Sequence, residues 1–221
     1  MSPKIILALD VDSLDRAGYF VNKLYPSIRI FKVGLKLFTA CGPKVIQQLH
    51  KKGAEVFLDL KLLDIPNTVA GAVRQAVRLK VKMLTLHISG GKDMLKAAVK
   101  AARDESRLLG IKRPLLIGVT VLTSQKANAN AVLKLTRLGL ACGLDGVVCS
   151  VREVAFLKKK IKAKFLTVTP GIRSNKSSSD DQKRIATPQE AFLGGSDFLV
   201  IGRPILEAKN PEEVVKEMLE N

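Results

Sequence analysis

Eight short apolar, β-branched runs recur along the 221 residues, at 4–10, 29–34, 55–61, 83–88, 115–121, 146–150, 165–170 and 197–203. They are spaced by roughly 20 to 30 residues, and about one helix's worth of sequence follows each. Strands alternating with helical patterns define βαβ units, and parallel strands this apolar are buried on both faces. Eight such units predict an α/β fold, a single-domain (β/α)8 TIM barrel over residues 1–221, with a doubly wound open sheet as the alternative. At 47% hydrophobic residues the chain has enough apolar mass for one large core.

Helix punctuation supports this reading. Asn210-Pro211-Glu212-Glu213 offers an N-cap, a proline at the first helical position and acidic residues in the first turn, and 214–219 continues as an amphipathic helix. One segment breaks the compact pattern: 171–187 is long, polar and serine-rich. Loops of that length in compact domains are usually lids, binding loops or disordered, and its place after the seventh strand favours a lid. Met1-Ser2-Pro3-Lys4 runs straight into a strand and no apolar run approaches transmembrane length, so a soluble, cytoplasmic protein is expected. Cys41, Cys142 and Cys149 form no CxxC pair, which argues for reduced, mostly buried thiols over disulfides or zinc.

The net charge of +17 asks for an anionic partner. The lysines are spread over most helical segments, however, and 158–164, the densest run, reads as a solvated helix face. With 8 Phe, 2 Tyr and no Trp the chain is poor in groups that stack on bases, so no nucleic-acid partner is expected. The field suits a small phosphorylated substrate.

In a (β/α)8 barrel the chemistry sits at the C-terminal strand ends. The first run ends in Asp10, the second carries Lys32, and the third ends in Asp59 and Lys61, followed by Asp64. The fourth carries His87, Thr123 and Ser124 follow the fifth, and Gly202-Arg203 ends the eighth. Residues two apart on a strand share a face, so Asp59 and Lys61 project together. At about 4 Å, unit charges interact by roughly 4 kcal/mol at an effective dielectric near 20. A desolvated Lys61 between Asp59 and Asp64 would be rigidly aimed, a poised proton donor. Lysines inside apolar strands need such partners, although a buried ion-pair network could also be purely structural. Pro66 holds Ile65 extended and stiffens the turn, which can aim Asp64 away from its own site. Arg203 stands where barrels of this type bind phosphate, and Arg173 and Gln182 in the long loop complete a clamp. His87 reads as a hydrogen-bonded core residue. No GxSxG elbow, Walker A loop or strand-linked GxGxxG is present.

These segments resemble the orotidine 5'-phosphate decarboxylase family. The resemblance runs through Leu7-Ala8-Leu9-Asp10, Phe31-Lys32-Val33-Gly34, Asp59-Leu60-Lys61-Leu62-Leu63-Asp64-Ile65-Pro66-Asn67-Thr68-Val69, 118–124, 168–173 and Val200-Ile201-Gly202-Arg203. It covers nearly the whole chain in order, and the segment from Asp59 to Thr68 is highly specific. It implies a cofactor-free and metal-free carboxy-lyase of UMP synthesis, working as a homodimer with composite sites. By the same resemblance, Asp10 would bind the ribose, Lys32 would bridge ribose and carboxylates, Asp59 would face the substrate carboxylate and Lys61 would protonate C6. Asp64 and Thr68 would reach into the partner's site. Thr123 would meet the pyrimidine, Pro170 would line the pocket, and Arg173, Gln182, Gly202 and Arg203 would hold the phosphate. Many relatives carry His where Leu63 stands.

Two rivals remain. Ketogulonate-phosphate decarboxylases share Asp-x-Lys-x-x-Asp but bind magnesium through an acidic residue at the end of strand two, where this chain has Lys32. A nucleic-acid binder rests on charge alone and leaves Lys32, Asp59 and Lys61 without purpose.

Overall fold

The computed structural model describes residues 4–122, 128–173 and 186–220. Its strands are β1 (Lys4–Ala8), β2 (Ile30–Gly34), β3 (Glu55–Leu62), β4 (Met83–His87), β5 (Leu115–Val119), β6 (Gly146–Val148), β7 (Leu166–Thr169) and β8 (Phe198–Ile201). They pair in sequence order, all parallel, and β1 bonds to both β2 and β8, so the sheet closes and has no free edge. The open-sheet alternative is thereby excluded.

Helices follow the strands around the outside: α1 (Leu14–Leu24), α2 (Leu35–Cys41) with α3 (Lys44–Lys51), α4 (Pro66–Arg78), α5 (Gly91–Leu108), α6 (Ala129–Ala141), α7 (Val151–Lys160), α8 (Pro188–Leu193), α9 (Arg203–Leu206) and α10 (Pro211–Glu220). Their starts obey local chemistry. The Ser13 side chain accepts from the Arg16 N–H at α1, and Thr187 and Glu190 form a reciprocal capping box at α8. Pro66 occupies the first turn of α4 after an extended Ile65, as the sequence implies.

The alternating faces of the strands divide the apolar residues into two layers. One fills the barrel, with Ile6, Ile30, Phe57, Met83, Ile117 and Phe198 among its members. The other, much larger, lies between strands and helices and includes Leu7, Phe31, Leu58, Leu84 and Ile201. Inside the barrel, neighbouring backbones come close at β6 and β7. A Cβ at Gly146 would lie 2.2 Å from the Leu166 carbonyl oxygen.

The strands are shorter than the apolar runs at several C-terminal ends. Asp10 lies beyond β1, and Arg203 opens α9. Cys142 and Cys149 are buried, Cys41 is half-buried, and all three are free thiols. Among the described residues, no helix is long and apolar enough to cross a membrane.

Gly146→Ala is expected to destabilise the protein by about 1–3 kcal/mol, because backbone rather than a side-chain tip must move. Urea denaturation followed by circular dichroism checks this; an unchanged midpoint would contradict the tight β6–β7 approach.

Candidate active site

The inward face of β1 to β3 runs from apolar to charged at the C-terminal mouth of the barrel. Ile6 and Ala8 give way to Asp10, Ile30 to Lys32, and Phe57 to Asp59 and Lys61. The four charged residues line one wall of a cavity of about 240 Å³. Gly34 leaves room for them, since a Cβ there would sit 3.0 Å from Lys32 Nζ.

The charges form a chain of contacts. Lys32 Nζ lies 3.0 Å from Asp10 Oδ1 and 3.7 Å from Asp59 Oδ2, and Lys61 Nζ lies 2.8 Å from the same Asp59 oxygen. The lysine between two carboxylates is therefore Lys32. Lys61 pairs with Asp59, while Asp64 is exposed and its Oδ1 accepts the Ile65 N–H at 2.6 Å. The expectation that Lys61 sits between Asp59 and Asp64 of its own chain is corrected: the stiff Ile65-Pro66 turn carries Asp64 off the cavity wall.

Burial would raise the Asp59 pKa, but the ammonium groups of Lys32 and Lys61 and hydrogen bonds from Lys61 and Thr85 outweigh it, holding the carboxyl below its ordinary range. Asp59 stays ionised at neutral pH, although its side chain is only 12% exposed.

Asp59 and Lys61 do project together into the cavity, as expected, but through a bulge and not through simple alternation. Leu58 pairs with Leu84 but Leu62 with Leu86, so four steps along β3 match two along β4. Lys61 takes φ 51°, a left-handed conformation disfavoured for a residue with a Cβ. Thr85 holds this bulge. Its hydroxyl accepts the Lys61 N–H at 2.8 Å and donates to Asp59 Oδ1 at 2.9 Å, and it is fully buried. Sequence reasoning missed Thr85; the available signal was its place two residues from Met83 on the inward face of an otherwise apolar strand.

Pro170, Gly171, Arg173, Gly202 and Arg203 line the other side of the cavity, with Val119, Leu122 and Val200 among the apolar residues of its walls. Arg173 is buried, and its backbone N–H reaches the Ala186 carbonyl at 2.9 Å while the Ala186 N–H reaches the Gly171 carbonyl. The two feet of the long loop are thus pinned together at the mouth. Thr123, Ser124 and Gln182 lie outside the described residues. Thr68 and Leu63 are exposed and do not line the cavity. His87 is half-buried, and the hydrogen bond expected for its ring is not found among the described residues. Burial and the Lys61 ammonium lower its pKa, while Asp59 works in the opposite direction.

A closed (β/α)8 barrel with interleaved ammonium and carboxylate groups at the strand ends defines the class, a TIM-barrel enzyme with a charged site at its C-terminal mouth. The sequence model of the "Orotidine 5'-phosphate decarboxylase / HUMPS family" matches residues 3–218, and the chain belongs to this family. It is 48% identical over 227 residues to orotidine 5'-phosphate decarboxylase of Vibrio cholerae O395, covering 98% of this chain and 96% of that one. It is 47% identical over 230 residues to the Legionella pneumophila (strain Paris) protein of the same name, covering 99% of each. The crystal structure of orotidine 5'-phosphate decarboxylase from Lactobacillus acidophilus superposes with a TM-score of 0.86 at 34% identity, covering 99% of this chain and 98% of that chain.

Thr85→Val removes one donor to Asp59 and strands the Lys61 N–H. A loss of about 1–3 kcal/mol in urea unfolding is expected, with Thr85→Ser close to wild type. Equal stability of the Val and Ser variants would show that the hydroxyl does not hold the bulge.

Proposed function

We propose that the chain decarboxylates orotidine 5'-phosphate to uridine 5'-phosphate and carbon dioxide, the last step of UMP synthesis, without metal or organic cofactor. The carrying observation is Asp59, an ionised and nearly buried carboxylate gripped by Lys32 and Lys61, across a cavity from Arg173 and Arg203. The family also contains other enzymes, and Lys32 separates the readings. Its ammonium stands on Asp10 and Asp59, where the magnesium-dependent phosphosugar reading requires a hard-cation ligand.

In this mechanism the phosphate lies against Arg173, Gly202 and Arg203 and Gln182 joins them, Asp10 and Lys32 hold the ribose, and Pro170 and Thr123 bound the base. The substrate carboxylate on C6 then faces Asp59. The C6–carboxyl bond breaks, its electron pair stays on C6 and carbon dioxide leaves. Lys61 Nζ stabilises that carbanion electrostatically and gives it a proton. Because the carbanion has no conjugated electron sink, a charge already in place does what solvent would otherwise have to reorganise to do. Phosphate binding supplies free energy for alignment, and the segment between the pinned feet Arg173 and Ala186 serves as the lid.

The assembly in this reading is a homodimer, with Asp64 and Thr68 completing the site of the other subunit. Their exposure supports it, as do the flanking apolar side chains Leu63 and Ile65, which are 55% and 67% exposed. The cytoplasm, which keeps thiols such as those of Cys142 and Cys149 reduced, is the compartment that fits.

Ultraviolet absorbance of orotidine 5'-phosphate mixed with the protein should show rapid conversion unaffected by excess EDTA; no conversion would sink this reading. Lys61→Ala is expected to lower kcat by at least about 10³-fold with the fold retained. Arg203→Ala should raise KM by about 10- to 100-fold, the worth of a charged hydrogen bond. Mixing inactive Lys61→Ala and Asp64→Ala subunits should recover about a quarter of wild-type activity, since about half the dimers become mixed and each keeps one intact site. No recovery after verified exchange would argue for self-contained sites.

A further inference from the structure

The turns that lead from helix to strand emerge at the N-terminal mouth of the barrel, opposite the proposed active site, and they carry much of the unexplained positive charge. Among the described residues of these turns, Glu55, Asp145 and Asp197 are each already engaged. Glu55 pairs with Lys82, Asp145 takes both Arg113 and the Leu116 N–H, and Asp197 takes Lys158 and the Thr167 N–H. Lys80, Lys112, Lys162 and Lys164 are left with no ion-pair partner among the described residues.

These lysines rim two cavities. One, of about 470 Å³, is lined by His50, Lys80, Lys82, Lys112 and Arg113 with Glu55. The other, of about 540 Å³, is lined by Lys158, Lys162 and Lys164 with the already paired Asp145 and Asp197, against an apolar wall of Ile161, Phe165 and Leu166. Leu115 borders both, and the Arg113–Asp145 pair spans from one to the other.

A second observation concerns the backbone. After α3, α5, α6 and α8 the chain turns with the same pair of backbone hydrogen bonds, and the left-handed position is Gly53 (φ 79°), Gly110 (φ 62°), Gly143 (φ 96°) and Gly195 (φ 82°). After α4 the turn repeats, with the Lys80 N–H bonded to the Val77 carbonyl and the Val81 N–H to the Ala76 carbonyl, but the residue at φ 55° is Lys80. A side chain there costs about 1 kcal/mol relative to glycine. The fold therefore carries strain to keep an unpaired ammonium at the rim of the cavity, and strain of this kind marks ligand sites.

We infer that the N-terminal mouth is a binding site for a small anion bearing two or more linked phosphates, with Lys80 and Lys112 gripping the phosphates over the His50 cavity. Several cations around one hollow favour a chain of phosphates over a single one, because each added phosphate meets another ammonium or guanidinium. The adjoining apolar wall at Phe165 offers contact area to a nucleoside attached to such a chain. The site is separate from the decarboxylation machinery, so the inference stands or falls independently of the proposed reaction.

The chain's two histidines report on opposite ends of the barrel: His50 lines this cavity, and His87 ends β4 near Lys61. His50 already titrates below its ordinary value, through burial and the Lys80 ammonium, so a bound anion should move it upward. The experiment is imidazole C–H NMR of the full chain at low ionic strength, titrated with tripolyphosphate and, separately, adenosine triphosphate and inorganic monophosphate. Saturable movement of the His50 signal with a raised titration midpoint is expected, with monophosphate at least about tenfold weaker. Lys80→Gly is expected to raise the urea midpoint yet weaken tripolyphosphate about tenfold, leaving decarboxylation unchanged. Tighter binding of adenosine triphosphate supports the site and assigns the phosphates to a nucleotide; equal or preferential binding of tripolyphosphate supports it and assigns them to the phosphate chain alone. No His50 response, or the same affinity in Lys80→Gly and Lys112→Gln as in wild type, would overturn the inference.

Discussion

Closure of the sheet through β1 and β8 is the constraint on which everything else in this protein depends. A closed parallel barrel leaves no strand edge unpaired, and where the ladder is interrupted side chains take over, as the Thr85 hydroxyl does for the Lys61 N–H. It also sends every strand out at the same mouth. Asp10, Lys32, Asp59 and Lys61 come from three adjacent strands or their ends, and closure then brings Pro170, Arg173, Gly202 and Arg203 from after β7 and β8 to the other side of one cavity. An open sheet would leave those two sets at separate places. The interior below is packed with apolar side chains such as Phe57, Met83 and Phe198, so the charged layer has a rigid, dry floor.

Rigidity is what lets charges be held where water would otherwise prefer them. Two nearly buried groups, Lys32 and Asp59, are each stabilised by a second partner, Asp10 for the one and Lys61 for the other. Removing Asp59 would leave Lys61 without its carboxylate and Lys32 with only the exposed Asp10. The carboxylate nearest the proposed reaction centre is further fixed by the Thr85 hydroxyl, which also ties down the strained Lys61 backbone. The proton donor's aim thus derives from a bulge in β3 and a hydroxyl on β4, in addition to its own ion pair.

The two ends of the barrel handle charge differently. At the C-terminal mouth the cations and carboxylates of β1 to β3 alternate and touch. At the N-terminal mouth the carboxylates are spent on bridging neighbouring strands, Asp145 between β5 and β6 and Asp197 between β7 and β8, and Lys80, Lys112, Lys162 and Lys164 have no ion-pair partner among the described residues. A net charge of +17 spread over helix faces promotes solubility and steering, but the concentration of unpaired ammonium groups at this mouth follows from topology, since helix-to-strand turns converge there.

Much of this was written in the sequence, and for a physical reason: periodicity and local chemistry are properties of neighbouring residues. The eight apolar runs specified the barrel, Pro66 and the Asn210-Pro211 pair marked helix starts, and the segment from Asp59 to Thr68 pointed to the site and to the family. Strand ends were less legible, because where a ladder stops depends on the neighbour's register; hence Asp10 falls beyond β1. The bulge that puts Lys61 at φ 51° and the role of Thr85 were invisible, since both arise from the pairing of β3 with β4, two segments far apart in the chain. Which lysine stands between two carboxylates was also decided only in three dimensions. Sequence adjacency favoured Lys61, flanked by Asp59 and Asp64, whereas the parallel pairing of β1, β2 and β3 set Lys32 between Asp10 and Asp59 and the Ile65-Pro66 turn swung Asp64 away.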